Sequence, residues 1–133
     1  MTARDWARAA LAAFYLIAGM LHLAKPDTFL LITPAWVPWP QQVVQLTGIC
    51  EIAGAVGLMT PGLRKAAGLG LALYAVCVFP ANIKHAIDGL PAGHAQLGWW
   101  YHAPRLALQP VIVWWALYAS GITGWPFRTR PER

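Results

Sequence analysis

Four long apolar runs constrain this chain more than any other feature of its sequence. They cover residues 7–23, 42–59, 66–87 and 104–120. A helix needs about 20 mainly apolar residues to cross the hydrocarbon core of a bilayer, and each run is close to that length. Charged residues make up only 11% of the chain, against about 25% in soluble domains. The sequence therefore predicts an all-α polytopic membrane protein, a four-helix transmembrane bundle that forms a single domain over residues 1–133.

The segments between the runs support these boundaries. Residues 25–41 carry four prolines and two tryptophans, so we expect them to lie at the membrane interface rather than to span it. Thr60-Pro61-Gly62 and Asp88-Gly89-Leu90-Pro91 are turn signals, and Pro104 suits the first position of the fourth helix. The first run is similar to a signal peptide, but a poor cleavage site follows it, so we expect a retained helix.

Basic residues indicate the direction in which the helices cross. An even number of spans puts both termini on one side, and cytoplasmic segments are enriched in Lys and Arg. Seven basic residues fall on the side of the termini and three on the other: Arg4, Arg8, Arg64, Lys65, Arg128, Arg130 and Arg133 against Lys25, Lys84 and Arg105. We expect both termini in the cytoplasm. The net charge of +5 forms no basic stripe, so we expect no nucleic-acid partner.

Polar side chains inside the spans collect in the outer half, opposite the termini. Glu51 lies nine residues from the outer end of the second run, or about 14 Å, near the midplane of the bilayer. The other spans contribute His22, Asn82, Lys84, His85, Arg105 and Gln109. A charge at the bilayer centre costs at least about 2.5–3.5 kcal/mol, so Glu51 should face the interior beside a partner. We expect Arg105 or a histidine as the counter-charge, with Asn82 and Gln109 completing the hydrogen bonds.

Glycines and prolines near Glu51 favour a cavity at the same level. The small residues at helical spacing from it are Gly48, Gly54 and Gly57, which let another helix approach closely. Pro80 and Pro110 lie within the third and fourth runs. Each proline removes a backbone donor and usually kinks its helix. We therefore expect two helices to splay where the polar residues collect, leaving a cavity open to the outer face.

These polar groups have a structural and a functional interpretation. Glu51 and Arg105 could form an ion pair that fixes helix register. Alternatively they are catalytic: Glu51 exchanges protons with a bound quinone or other small redox molecule, and Arg105 orients a carbonyl or an anion. The ligand-binding residues would then be His22, Asn82, Lys84, His85 and Gln109. The histidines, which also include His94 and His102, form no HxxxH or HxxH pair, so we predict no metal site. Cys50 and Cys77 are expected to be packing residues.

Five motifs resemble the DoxX-like family of small four-helix membrane proteins. They are Gly19-Met20-Leu21-His22 followed by Pro26 and Phe29; Gly48-Ile49-Cys50-Glu51-Ile52-Ala53-Gly54; Pro61 with Arg64; Phe79-Pro80-Ala81-Asn82-Ile83; and Pro104-Arg105-Leu106-Ala107-Leu108-Gln109. Together they extend over nearly the whole chain. The resemblance implies a four-helix bundle in a bacterial cytoplasmic (inner) membrane, with Glu51, Asn82, Arg105 and Gln109 as central residues. The pair Lys84-His85 departs from the family pattern, in which the Asn-Ile is followed by a more hydrophobic pair.

Two functions of different classes follow. The first is an integral membrane subunit with a polar pocket in the outer half of the bundle, linked to quinone or redox chemistry, as some DoxX-like proteins resemble subunits of quinone-linked sulfur oxidation. The second is a non-catalytic assembly or chaperone-type membrane subunit. Whether the protein is an enzyme stays open. The expected partners are the lipid bilayer, a small lipophilic ligand such as a quinone, and a soluble redox partner or further copies of the chain.

Overall fold

The computed structural model describes residues 1–88 and 98–127, which contain helices and no strand. The helices are α1 (Ala3–Ala24), α2 (Pro26–Leu30), α3 (Pro40–Met59), α4 (Arg64–Asp88) and α5 (Trp99–Ala119), and a short 3-10 helix (Pro61–Leu63) joins α3 to α4. The prediction of an all-α fold is confirmed for these residues. The predicted turn at Gly89-Leu90-Pro91, His94 and the basic residues Arg128, Arg130 and Arg133 lie outside the described residues.

Local signals explain where the first helices begin. The Thr2 hydroxyl accepts the backbone N–H of Asp5 at 3.2 Å, and the Asp5 carboxylate accepts the backbone N–H of Thr2 at 2.8 Å. This reciprocal capping box starts α1. Pro26 and Pro40 lie in the first turns of α2 and α3, where a missing backbone donor costs no intrahelical bond. The segment predicted not to span the membrane thus holds one five-residue helix before α3 begins.

The fourth long helix begins earlier than predicted. The sequence placed Pro104 at its first position, but α5 begins at Trp99 and contains both Pro104 and Pro110. The Gly98 carbonyl accepts the backbone N–H groups of Tyr101 and His102 at 3.0 and 3.2 Å. Because Pro104 has no backbone N–H, only the carbonyl of residue 100 loses its helical hydrogen bond. The first turn of α5 does not need that bond to form. The predicted runs 7–23, 42–59 and 66–87 lie within α1, α3 and α4.

The four long helices pack as a ring. In this ring α1 and α4 each contact both α3 and α5. An apolar core fills the half that contains the N-terminus of α1, here called the proximal half: Leu11, Ala12, Tyr15, Ala55, Leu58, Leu71, Ala72, Ala75, Ile112, Ala116 and Ala119. The opposite half, where α1 ends and α3 begins, is called the distal half. It corresponds to the half that the sequence predicted to be rich in polar residues.

In the part of the chain that the structure describes, three helical segments are long and apolar enough to cross a membrane. They are α1, α3, and α4 together with the 3-10 helix before it. Large apolar side chains cover their outer surfaces; Ile17, Leu46 and Leu73 are more than half exposed, as expected for helices that face lipid. α5 has the necessary length, but it is not among these segments, because Arg105, Gln109 and its two prolines lower its mean hydropathy.

Candidate functional site

A cavity of about 530 Å³ lies mainly in the distal half, between the four long helices and residues 29–37. Its volume falls within the range of about 300–1,000 Å³ that is typical of ligand sites. Most of its lining is apolar, and its polar or hydroxyl-bearing lining residues are Tyr15, His22, Thr33, Thr47, Glu51, Tyr74, Asn82, Tyr101, Arg105 and Gln109. The structure therefore places five of the seven predicted site residues on one cavity.

Glu51 is buried, with 4% of its surface exposed, and the imidazole of His22 lies beside it. Nδ1 of His22 lies 3.0 Å from Oε2 of Glu51. The same nitrogen lies 2.9 Å from the carbonyl oxygen of Ala18, and Oε2 has no hydrogen bond of acceptable geometry. The two side chains are therefore in close contact, and the Nδ1 N–H of His22 is directed at the Ala18 carbonyl. Buried polar atoms are normally hydrogen-bonded, so Oε2 is an acceptor available to a bound molecule.

Two glycines bring His22 and Glu51 together. A Cβ on Gly19 would lie 2.7 Å from the carbonyl oxygen of Gly48, and a Cβ on Gly48 would lie 2.8 Å from Cβ of His22. These separations are too short for real Cβ contacts, so α1 and α3 can approach this closely only with glycine at both positions. The Phe29 ring of α2 stacks on the His22 ring, with 3.6 Å between centroids, and holds the imidazole from its other side.

Tyr74 of α4 completes the surroundings of Glu51 and was missed in the sequence. Its side chain lines the same cavity as Glu51 and Thr47, and its ring contacts Tyr15 edge-on at 6.2 Å. Tyr74 precedes His85 by three helical turns, so the two lie on the same face of α4. This shared face is the signal that could have identified Tyr74, because it places a hydroxyl group in line with the polar His85 inside an apolar run.

Arg105 of α5 forms a second polar cluster with α4. Its Nη1 donates to Nδ1 of His85 at 2.7 Å, and its Nη2 donates to Oδ1 of Asn82 at 2.8 Å. Arginine is always a donor, so the network assigns His85 as a neutral imidazole with its proton on Nε2. The ring of Tyr101 lies 5.7 Å from the guanidinium carbon, within the range of cation–π contacts. Asn82 and His85 are both buried.

Of the two counter-charges expected for Glu51, Arg105 or a histidine, the structure brings the histidine His22 beside it and not Arg105. Glu51 contacts His22, whereas Arg105 contacts Asn82 and His85. The reason is the order of helices in the ring, where α3 packs beside α1 and α4, and α5 packs across from α3. The cavity therefore has a carboxyl–imidazole pair on one wall and a guanidinium on another.

Three further predicted residues take different positions. Nζ of Lys84 lies 3.5 Å from the Asp88 carboxylate on the same helix, and Lys84 does not line the cavity. This cavity gives no support to the prediction of Lys84 as a ligand-binding residue, because residue 84 is rotated by about 160° from residue 82 and by about 100° from residue 85, towards the outside of the helix. Gln109 lines the cavity one turn after Arg105. His85 supports Arg105 from behind without lining the cavity.

Histidines and cysteines form no obvious metal or disulfide site in the part of the chain that the structure describes. No group of three His, Cys, Asp or Glu there could hold a metal ion. The rings of His85 and His102 meet edge-on at 4.9 Å. Cys50 and Cys77, which are expected to be packing residues, are exposed and unbridged, and both border a shallow groove between α3 and α4.

Comparison with known proteins identifies a family. A family model described as Domain of unknown function (DUF8561) matches residues 11–120. This range includes all the residues that line the cavity and both polar clusters. No curated protein and no solved structure matches the chain.

Proposed function

This chain belongs to the DUF8561 family, whose function is unknown, so we propose a function from its own residues. The protein is a multi-pass subunit of a bacterial cytoplasmic membrane, and it binds a quinone or related lipophilic redox molecule. The observation that supports this proposal is one largely apolar cavity with Glu51 and His22 on one wall and Arg105 on another. Small-molecule sites commonly combine an apolar lining with a few polar groups that orient the ligand.

In this proposal all four long helices cross the bilayer as a four-helix transmembrane bundle with both termini in the cytoplasm. α1, α3 and α4 have the required length and hydropathy. α5 has 21 residues, which is about 32 Å of helix, and it packs beside α1 and α4. The distribution of basic residues, seven against three, favours cytoplasmic termini. The distal half then lies towards the periplasm.

The cavity offers the groups that a quinone headgroup requires. A quinone is flat and apolar, and its two carbonyl oxygens need donors. Arg105 has N–H groups beyond those it gives to Asn82 and His85, so it can orient one carbonyl. Glu51 can give or take a proton at the ligand, because its Oε2 is buried without a hydrogen bond and an imidazole lies 3.0 Å away. Electrons would come from a soluble redox partner, while the quinone supplies the redox chemistry.

The test is the variant Glu51→Gln in purified protein. The amide keeps the shape of the side chain but cannot exchange the proton. We expect its thermal stability to stay near that of the wild type, and its quinone-dependent turnover with a soluble partner to fall by at least about 100-fold, the lower range for loss of a general acid–base. Asp88→Asn makes the same change at an exposed carboxylate outside the cavity and should keep both properties.

Turnover of Glu51→Gln at the wild-type level would contradict the role of the carboxyl in proton exchange. Extraction of the purified protein, followed by mass spectrometry of lipid-soluble material, tests binding separately. Absence of a quinone there, together with stable co-purification of an immature partner without redox change, would favour the non-catalytic assembly or chaperone-type subunit instead.

A further inference from the structure

Within residues 1–88 and 98–127, Arg105 forms no ion pair with a carboxylate. The chain contains five acidic side chains, namely Asp5, Asp27, Glu51, Asp88 and Glu132. Three of them pair with other residues in the described part of the chain: Asp5 with Arg8, Glu51 with His22, and Asp88 with Lys84. Asp27 lies in α2 and does not line the cavity, and Glu132 is outside the described residues. No ion pair of Arg105 occurs within residues 1–88 and 98–127.

The neighbours of Arg105 hold the guanidinium in place without neutralising it. Asn82 Oδ1 and His85 Nδ1 are uncharged acceptors, and both side chains are more than nine-tenths buried. They take two of the five N–H donors of the guanidinium, which leaves three for other partners. Arg105 itself lines the cavity. The structure therefore fixes a cation at the cavity wall with unused donors.

Among the described residues, the rest of the cavity suits an apolar body and brings no carboxylate into an ion pair with Arg105. The Glu51 carboxylate already faces the imidazole of His22 at 3.0 Å. Beyond Arg105, the lining continues with apolar side chains of α4 and α5, among them Leu108, Ile112 and Val78. A cation in such surroundings is costly unless an anion accompanies it.

We propose that this cavity binds a lipophilic anion, with an apolar tail among the helices and a carboxylate or phosphate headgroup on Arg105. The planar fork of a guanidinium matches two oxygens of such a headgroup. Asn82 and His85 act as positioning residues that orient the fork. The inference rests on the proposed function only in that the cavity is a ligand site; it does not require redox chemistry.

The test compares probes that share one tail. Dodecanoate, dodecyl phosphate, dodecanol and dodecylammonium are titrated into the purified protein in an uncharged sugar detergent, and binding is followed by native mass spectrometry. We expect dodecanoate or dodecyl phosphate to bind at least about tenfold more tightly than dodecanol, since charge-assisted hydrogen bonds contribute more than neutral ones. The tighter of the two anions identifies the headgroup. Dodecylammonium should bind least.

Arg105→Gln should reduce the preference of the protein for the anion over dodecanol to less than about threefold, because its amide keeps a donor but loses the charge. Lys25→Gln removes an exposed cation near the same end, outside the cavity, and should leave the preference unchanged. Equal binding of the anions and dodecanol to the wild type would overturn the proposal, and this comparison stands even if Arg105→Gln fails to fold. A preference that Arg105→Gln retains would overturn it as well.

Titration of a quinone with a short tail in the same assay separates the two proposals. An Arg105-dependent preference for the anion, without quinone binding, would refute the proposed function and support the inference. Quinone binding without any preference for the anion would support the proposed function and refute the inference.

Discussion

His22 and Glu51 meet in the interior, where the energetics of an ion pair differ from those at a surface. Their side chains are only 13% and 5% exposed. Removing the imidazole leaves the buried carboxylate uncompensated and typically costs about 3–5 kcal/mol, whereas removing the carboxylate leaves an imidazole that can be neutral. Because Oε2 of Glu51 has no hydrogen bond, the stability of the buried carboxylate depends mainly on the neighbouring imidazole.

We predict that His22→Ala destabilises the protein by about 3–5 kcal/mol, and that adding Glu51→Gln to it restores at least half of this loss. The amide is neutral, so it no longer needs the imidazole. The measurement is unfolding by SDS in mixed micelles, followed by circular dichroism. A double variant no more stable than His22→Ala alone would show that the pair does not interact as the 3.0 Å separation indicates.

At the scale of elements, the contact between α1 and α3 depends on glycine. Gly48→Ala would place a methyl group 2.8 Å from Cβ of His22 and 3.0 Å from the carbonyl oxygen of Gly19. Overpacking of this kind typically costs about 1–3 kcal/mol. We predict that Gly48→Ala lowers the free energy of unfolding by about 1–3 kcal/mol. We also predict weaker ligand binding, because separating α1 from α3 also separates His22 from Glu51.

Gly70→Ala is the matched control for this substitution. Gly70 lies in α4, and nothing lies within 4 Å of a Cβ added there. Alanine favours helix by up to about 1 kcal/mol over glycine, so this variant should be as stable as the wild type or more stable. Thermal unfolding of both variants in one detergent checks the pair. Similar stabilities for Gly48→Ala and the wild type would contradict the close approach of α1 and α3.

α1 is attached to α5 by polar contacts in the proximal half. Nε of Arg8 donates to the carbonyl of Ala119 at 3.0 Å, and its Nη1 contacts Asp5 at 2.9 Å. The indole N–H of Trp115 donates to the carbonyl of Ala7 at 2.9 Å. Arg8 thus satisfies a carbonyl at the C-terminus of α5, where a positive charge is also favoured by the helix dipole. Sequence alone treated Arg8 only as a charge that sets topology.

At the scale of the whole molecule, the membrane topology is the main prediction. We expect alkaline phosphatase, which is active only in the periplasm, to be inactive when fused after Gly62 or after Arg133 and active when fused after Gly98. The reason is that the basic residues of the termini and of the α3–α4 connection favour the cytoplasm. Cytoplasmic fluorescent-protein fusions at the same three positions should give the reverse pattern.

The fusions after Gly98 and Arg133 together test whether α5 crosses the bilayer. Enzyme activity at both sites would show that α5 stays on one side, as its lower hydropathy would allow. Activity only after Gly98 would show that α5 crosses despite Arg105 and Gln109, as its packing beside α1 and α4 favours.

The sequence by itself determined the helices and the half of the molecule that holds the polar groups. Apolar runs and turn signals located α1, α3 and α4, because both depend on local residue types and spacing. Depth along a helix follows from a constant rise per residue, so the sequence alone assigns His22, Glu51, Asn82 and Arg105 to the same half of the molecule.

Only the tertiary structure decided which of these groups meet. Periodicity gives the face of each helix, but it does not give the order in which helices pack around a centre. That order puts α3 across from α5, so Glu51 meets His22 of α1 while Arg105 meets Asn82 of α4. Here the contacts form between neighbouring helices, and which helices are neighbours depends on packing over their full length, including close approaches such as that at Gly48.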